Sequence, residues 1–256
     1  MSILKKGLIA SAALALPFAV SANSKLERMM GDPNQWVQQS GDYAGHRYSS
    51  LDQINKSNVG SLKVAWTFST GVLRGHEGGP LVIGDMMYVH TAIPNIVYAL
   101  DLNDNQRIVW KYNPVKGGKY PGGETMDRVI SVMCCDNVNR GVNYHPNGTI
   151  VLHAADTSVI ALNAKNGKEK WVTTNLHAGT GKYGVSASTG SGQPFIIKDT
   201  VGVGCSGAEF GVRCNWTSYD INSGKKLWRA YSMGPDKDML VDPNKTTSMG
   251  KPVGKD

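Results

Sequence analysis

The sequence Val159-Ile-Ala-Leu-Asn163 is followed by Ala-Lys-Asn-Gly167 and then by Lys170-Trp171. Alternating apolar residues in the first part can fill one face of a strand, and Asn-Gly supplies the positive φ that a tight turn needs. The part after the turn carries a large aromatic side chain. This stretch therefore predicts a β-hairpin that brings a tryptophan to a fixed place.

The hairpin pattern recurs along the chain. Two other full copies are Val97-Tyr-Ala-Leu-Asp101 with Trp110, and Thr217-Ser-Tyr-Asp220 with Trp228. A partial copy is Leu62-Lys-Val-Ala-Trp-Thr-Phe68. Further strand-like runs precede each full copy, at 80–83 and 87–90, at 149–153, and at 195–197 and 201–204.

About four strands per unit, in units of roughly 45–60 residues, predict an all-β protein, a β-propeller of four-stranded blades. A β-sandwich with coincidental tryptophans is the alternative. Ser24–Met30 is the one segment with a helical pattern. Because propellers close with about four to eight blades, three full copies and one partial copy suggest that the sequence stops partway round a larger ring.

Composition excludes several other classes. The 256 residues are 41% hydrophobic and 18% charged and include 30 glycines. The low charge and frequent glycine exclude a coiled coil, a collagen-like rod and a charge-driven disordered chain.

The first 22 residues resemble a secretory signal peptide. Lys5 and Lys6 precede an apolar run over 7–20, and Val20-Ser21-Ala22 provides a cleavage site after Ala22. An uncleaved membrane anchor is the alternative, but the run is shorter than the about 20 residues that span a bilayer. Cleavage lowers the formal charge from +7 to +5. Lysine and arginine are scattered, which favours a solvated cationic surface over a nucleic-acid site.

Export permits disulfides, so the four cysteines are candidates for bridges. Cys134 and Cys135 are adjacent, and each could be reduced, pair elsewhere or bond to its neighbour. A bridge between neighbours would be strained, and such bridges tend to lie at functional sites. Cys205 and Cys214 flank a turn, and their pairing stays open.

Three charged residues are candidates for ligand binding. Arg140 suits bidentate contact with a carboxylate, although a surface salt bridge is the commoner fate of an arginine. Glu77 lies in a loop with glycines nearby, where the backbone can approach a ligand, or it is a solvated carboxylate. Glu209, in Gly204-Cys-Ser-Gly-Ala-Glu-Phe-Gly211, has the hard oxygen ligands that Ca²⁺ prefers, but such an ion needs several more.

Other catalytic signatures do not occur in the sequence. The histidines lack zinc-ligand spacing, and there is no G-x-S-x-G elbow or Walker-type phosphate-binding loop.

Taken together, these motifs resemble the large subunit of the pyrroloquinoline quinone (PQQ)-dependent methanol and alcohol dehydrogenases. The resemblance covers essentially the whole chain after residue 22. It is carried by Trp36 and the run 41–49, by the run 66–78, by Cys134-Cys135-Asp136, by Asn139-Arg140-Gly141, and by the runs 204–213 and 227–230. The adjacent cysteines together with Ser-Gly-Ala-Glu are its most specific part.

The resemblance implies an eight-bladed propeller with PQQ in the central channel, of which residues 23–256 would form about half. It implies that Glu77 and Arg140 bond the polar edge of PQQ, and that a Cys134–Cys135 disulfide packs on one face. Ser206, Gly207 and Ala208 would contact a PQQ carboxylate, Ser191 would take the place of a hydrogen-bonding Thr, and Glu209 would ligate Ca²⁺ or a lanthanide ion.

The implied activity is periplasmic oxidation of methanol or other primary alcohols to aldehydes, with electrons passed to a cytochrome c. A small subunit or a homodimer is a further expectation. The family's catalytic base (an Asp), second metal ligand (an Asn) and second face-covering Trp would lie beyond residue 256, so no catalytic residue is expected here. Residues 113–131 resemble an insertion, and 178–193 is richer in glycine than the family usually is.

Two other functions fit part of the pattern. One is a non-enzymatic propeller scaffold of the outer-membrane assembly type, which shares the tryptophan repeat but has no use for the adjacent cysteines or Ser-Gly-Ala-Glu. The other is a PQQ dehydrogenase for longer alcohols or sugars.

Overall fold

Three four-stranded antiparallel sheets dominate the computed structural model, which describes residues 23–175 and 187–252. Each sheet is a meander whose strands are neighbours in chain order, as in a propeller blade. Blade 1 contains β1 Leu81–Ile83, β2 Met86–His90, β3 Val97–Asp101 and β4 Arg107–Tyr112; blade 2 contains β5 Val142–His145, β6 Thr149–His153, β7 Ser158–Asn163 and β8 Glu169–Thr174; blade 3 contains β9 Phe195–Ile197, β10 Thr200–Val203, β11 Asn215–Asp220 and β12 Lys226–Tyr231.

The repeated hairpins form the third and fourth strands of each blade. Their pairing shifts by one residue at the same point in every copy, directly after Ala99, Ala161 and Ser218. A bulge of this kind bends a strand and increases its twist. The sequence repeat is therefore a structural repeat, and the prediction of four-stranded propeller blades is confirmed, whereas the β-sandwich alternative is wrong.

The tryptophans join one blade to the next. The Trp110 indole Nε1 donates to the Ala164 carbonyl at 2.9 Å, and its ring lies against Gly167 in the β7–β8 turn of blade 2. Trp171 repeats the contact one blade later and donates to the Ile221 carbonyl at 2.9 Å. Each hydrogen bond gives the indole N–H of a buried or half-buried tryptophan an acceptor. The neighbouring blade covers the large aromatic surface of the same side chain.

The structure differs from the sequence predictions in two places. Residues 62–68, the partial hairpin copy, form no strand, because their backbone pairs with no strand of the described chain. Trp66 there is 40% exposed, and Trp228 of blade 3 is 45% exposed. Two helices besides α1 Ser24–Met30 are present, α2 Met126–Val132 and α3 Asp236–Met239, which no sequence pattern predicted.

Smaller elements complete the described chain. Single 3₁₀ turns span Val59–Ser61, Cys135–Asn137 and Ala208–Phe210, and a short hairpin pairs β13 Thr247–Ser248 with β14 Lys251–Pro252. No helix in these residues is long and apolar enough to cross a membrane. The predicted signal peptide, 1–22, lies outside the described residues.

The hydrophobic core lies between the blades. One cluster joins blades 1 and 2, and a second joins blades 2 and 3 with α1. Leu26 of α1 is fully buried in the second cluster, and the Asn23 side chain caps this helix by accepting from the Leu26 N–H at 3.0 Å. Burial of a leucine side chain contributes about 1.5–3 kcal/mol, so α1 is firmly held against the blades.

Candidate functional site

A disulfide joins Cys134 to Cys135, directly after α2. Both cysteines are exposed, and the three residues Cys135, Asp136 and Asn137 all have positive φ. Such backbone is costly for residues other than glycine and persists where the surroundings hold it. Here the Asn137 amide donates to the Met133 carbonyl at 3.1 Å, so the cysteine loop is fixed from its buried side. The second cysteine pair, Cys205 and Cys214, also forms a disulfide.

Four of the predicted site residues form one continuous polar chain. The Arg140 guanidinium contacts the Glu77 carboxylate at 3.0 Å and donates to the Ser191 hydroxyl at 3.2 Å. The Ser191 Oγ lies 2.5 Å from the Ser206 Oγ. These residues come from four separate segments of the sequence. The fold thus brings a carboxylate, a guanidinium and two hydroxyls together, and the Arg140 and Glu77 side chains remain about half exposed.

The buried His90 and the half-buried Gln39 contact the residues next to Glu77 and Arg140 in the chain. His90 lies against Gly78, where a Cβ would come within 2.3 Å of its ring, and its Nε2 is 3.1 Å from the Asn139 carbonyl. Burial lowers the pKa of His90 to about 4, so the imidazole is neutral at pH 7 and donates through Nε2. The Gln39 amide donates to the Gly79 carbonyl at 2.9 Å. The residues beside Glu77 and Arg140 are therefore held in place.

The segment with the predicted metal ligand begins at the end of the polar chain. Ser206 pairs with Thr189 through two backbone hydrogen bonds of 2.8 and 3.1 Å. Gly207 follows with φ +112, and a Cβ there would come within 2.3 Å of the Ala187 carbonyl, so only glycine fits. Ala208 and Glu209 then form a 3₁₀ turn on the surface.

Glu209 stands apart from the other site residues. Its carboxylate is exposed and has no hydrogen-bond or ion-pair partner among the described residues. The residues that the structure describes contain no group of three or more His, Cys, Asp or Glu side chains that could hold a metal ion. One free carboxylate can supply part of a metal site but not all of it.

Sequence reasoning missed the residues that support the site. His90 and Gln39 show no pattern in the sequence, because each contacts the backbone of a segment far away along the chain, and Asn139 was visible only as part of the Asn-Arg-Gly motif. Asp136 was visible only as part of the Cys-Cys-Asp motif, with no assigned role. In the structure it binds the segment that carries Glu77.

The predicted insertion, 113–131, is folded onto blades 1 and 2. Tyr120 is buried and its hydroxyl lies 3.2 Å from the Asn95 amide oxygen. Asp156 accepts from the Gly122 N–H at 2.8 Å and from Ser158, and burial raises the pKa of this carboxyl. The segment ends in α2, so it leads directly to the cysteine loop.

Comparison with known proteins identifies the family. The family model for the β-propeller domain of the PQQ-dependent glucose, ethanol and alcohol dehydrogenases matches residues 36–253. The chain belongs to this PQQ dehydrogenase family. The three described blades and their docked tryptophans thus belong to a PQQ dehydrogenase propeller.

Relatives of this PQQ dehydrogenase propeller include named methanol dehydrogenases. A lanthanide-dependent methanol dehydrogenase of Methylorubrum extorquens is 53% identical over 96% of this chain and 38% of its own length. Subunit 1 of the cytochrome c methanol dehydrogenase of Methylobacterium organophilum is 42% identical over 94% of this chain and 37% of its own length. The structure of a europium-containing methanol dehydrogenase superposes with a TM-score of 0.77 at 48% identity, over 86% of this chain and 36% of that one. The chain spans less than two fifths of the length of each.

Proposed function

We propose that the protein acts as a PQQ- and metal-dependent dehydrogenase that oxidises methanol or another primary alcohol to the aldehyde. The observation that carries this proposal is the polar chain from Glu77 through Arg140 and Ser191 to Ser206, beside an exposed Cys134–Cys135 disulfide. It lies in a chain of the PQQ dehydrogenase family. The half-exposed side chains at this surface are available to a ligand.

The donor set fits the chemistry of PQQ. A flat quinone with three carboxylates needs a cation and hydrogen-bond donors at its edge, and Arg140 with the hydroxyls of Ser191 and Ser206 supplies them. The disulfide offers a compact, rigid surface for one face of the ring. Glu77 holds the Arg140 guanidinium in a fixed direction, which reduces the entropy lost on binding. Gly207 and Ala208 would bring backbone close to a carboxylate of the ligand.

Glu209 is the residue that would contribute to the metal site. Its exposed carboxylate, which has no partner in the part of the chain that the structure describes, is a hard oxygen donor, and the remaining ligands would come from PQQ and from other protein residues. Ca²⁺ and a lanthanide ion both accept such ligands. The lanthanide is favoured here, because relatives at 53% and 47% identity are named as lanthanide-dependent, against 42% for a cytochrome c methanol dehydrogenase subunit 1.

When bound with its metal, PQQ supplies an electrophilic quinone that accepts a hydride equivalent from the alcohol carbon. The residues of this chain orient the ligand edge, cover one face and offer one metal ligand.

The proposed electron acceptor is a cytochrome c, and a small subunit or a second copy is a further proposed partner. Export to the periplasm through the predicted signal peptide, 1–22, would bring the protein to that acceptor. Residues 23–256 form the proposed PQQ-binding propeller portion.

The test uses the full-length protein, reconstituted with PQQ and either Ca²⁺ or La³⁺. We expect methanol-dependent reduction of an artificial electron-acceptor dye and PQQ absorbance in the purified protein. Glu209→Gln is expected to lower activity at least about 100-fold, and Cys134→Ser to weaken PQQ binding. The control Asp104→Asn changes an exposed carboxylate at the β3–β4 turn and should leave both unchanged. A scaffold protein would be indifferent to all three substitutions and would hold no PQQ, and that result would refute the proposal.

A further inference from the structure

Asp136 connects the cysteine loop to the segment that carries Glu77. Its Oδ2 accepts from the Gly75 N–H at 2.6 Å, and its Oδ1 lies 3.5 Å from the Arg74 guanidinium. Gly75 is 61 residues earlier in the sequence. A carboxylate that accepts a backbone N–H forms a strong, charge-assisted bond and fixes the position of that backbone.

Glu77 lies between this contact and a second one. After Glu77, Gly78 packs on the His90 ring and the Gly79 carbonyl accepts from Gln39. Before Glu77, the Asp136 carboxylate holds Gly75. The loop is thus held on both sides of the residue that contacts Arg140. The contacts of His90 and Gln39 hold the side after Glu77, and the exposed Asp136 carboxylate next to the disulfide holds the side before it.

The backbone of Asp136 indicates that this contact is built into the loop. Its φ is +58, between two further positive-φ residues, and this conformation turns its side chain toward the Arg74–Gly75 segment. Aspartate tolerates this conformation better than most residues, but it still costs energy. An ordinary surface ion pair needs no such backbone. Asp104, which pairs with Arg107 at a hairpin turn, forms an ordinary surface ion pair. Its side chain is 59% exposed, close to the 58% of Asp136.

We propose that Asp136 is a positioning residue for PQQ binding, which acts by fixing the loop that carries Glu77 and thereby the Glu77–Arg140 pair. This inference rests on the proposed function, since it assigns Asp136 a role toward the ligand of that site. Asp136 itself is expected to contact the protein and not PQQ. Without the Asp136 carboxylate, the loop would be unattached before Glu77. The Glu77–Arg140 pair would then have to be ordered when PQQ binds, which lowers the affinity.

The experiment measures PQQ affinity and stability separately in the full-length protein. Asp136→Ala is expected to raise the dissociation constant for PQQ about tenfold, which is typical for removal of a residue that orients a ligand-binding group. Asp136→Asn keeps an oxygen that can accept from the Gly75 N–H, so its affinity should stay within about threefold of wild type. The melting temperature without PQQ should lie no more than a few degrees below that of the control Asp104→Ala, because both side chains are exposed and the added cost is that of alanine at φ +58.

Two further readouts separate positioning from a general structural role. Hydrogen exchange without PQQ should become faster at the Gly75 amide in Asp136→Ala and stay unchanged in Asp104→Ala. In a double-mutant cycle, Asp136→Ala should add little to the loss caused by Glu77→Gln, because both act through the same pair.

The outcomes are distinct. Unchanged PQQ affinity in Asp136→Ala, additive losses with Glu77→Gln, or a melting temperature well below that of Asp104→Ala would each overturn the role of Asp136, and so would failure of Asp136→Ala to fold. Wild-type protein that does not bind PQQ would instead overturn the proposed function. Weaker PQQ binding, a melting temperature close to that of Asp104→Ala and faster exchange at Gly75 would together support the inference.

Discussion

Gly167→Ala tests whether docking of tryptophan onto the neighbouring turn holds the blades together. Gly167 has φ +68 in the β7–β8 turn, and the Trp110 ring of blade 1 lies directly over it. A Cβ at this position would come within 2.7 Å of the ring atoms Cδ2 and Cε3. The indole is also held by its bond to the Ala164 carbonyl, so it cannot move away without losing a hydrogen bond.

Two costs add at this position. Left-handed backbone disfavours alanine relative to glycine by about 1–2 kcal/mol. Overpacking against a well-packed aromatic ring costs about 1–3 kcal/mol more. The free energy of unfolding should therefore fall by about 2–5 kcal/mol. The matched control is Gly148→Ala in the β5–β6 turn of the same blade, where φ is +80 and nothing lies within 4 Å of a Cβ. This control should lose only the backbone cost of about 1–2 kcal/mol.

The assay is urea unfolding of the full-length protein and both variants, followed by tryptophan fluorescence and far-UV circular dichroism. The Trp110→Ala background provides the second half of the test. Once the ring is removed, Gly167→Ala should cost no more than Gly148→Ala, since only the backbone cost remains. Equal losses for Gly167→Ala and Gly148→Ala in the wild-type background would refute the docking argument.

Other perturbations test the site and the core. Arg140→Lys should weaken PQQ binding about tenfold, because an ammonium cannot contact Glu77 and a ligand carboxylate as a planar fork does; an unchanged dissociation constant would contradict this. Burial lowers the pKa of His90 and of His153 to about 4, so the unfolded chain binds more protons between about pH 6.5 and 4. Stability should therefore fall as the pH drops through this window, by about 3 kcal/mol per histidine at its lower end, and His90→Gln should reduce the slope. Leu26→Ala should lower the free energy of unfolding by about 2–5 kcal/mol, and a smaller loss would mean that α1 is not part of the core.

The local hairpins were predictable because their signals are local. Alternating apolar residues, a turn glycine and a following tryptophan lie within about 15 residues of each other, so the sequence shows them without knowledge of the rest of the chain. Residues 62–68 carry part of this signal and still form no strand in the described chain. A strand needs a partner for its backbone groups, and a pattern within one segment does not supply one. The first strand of blade 2, β5, had no clear signal of its own.

The candidate site was predictable only in part. The motifs around Glu77, Arg140 and Ser206 pointed to their chemistry through a family resemblance, since no spacing between distant segments reveals a contact. That these residues form one chain with Ser191 emerged only from the structure. The supporting contacts of His90, Gln39 and Asp136 follow the same rule, because each joins segments that are far apart in sequence.

By itself the sequence determined the repeating strand–turn–strand unit, and through a family resemblance it indicated which residues are candidates for binding PQQ. Short-range sterics fix the repeating unit, so it can be read from neighbouring residues. The tertiary structure alone decided which blade each tryptophan contacts, how the two cysteine pairs are joined and which carboxylate holds the loop around Glu77. These features depend on distances between segments that only the packed blades define.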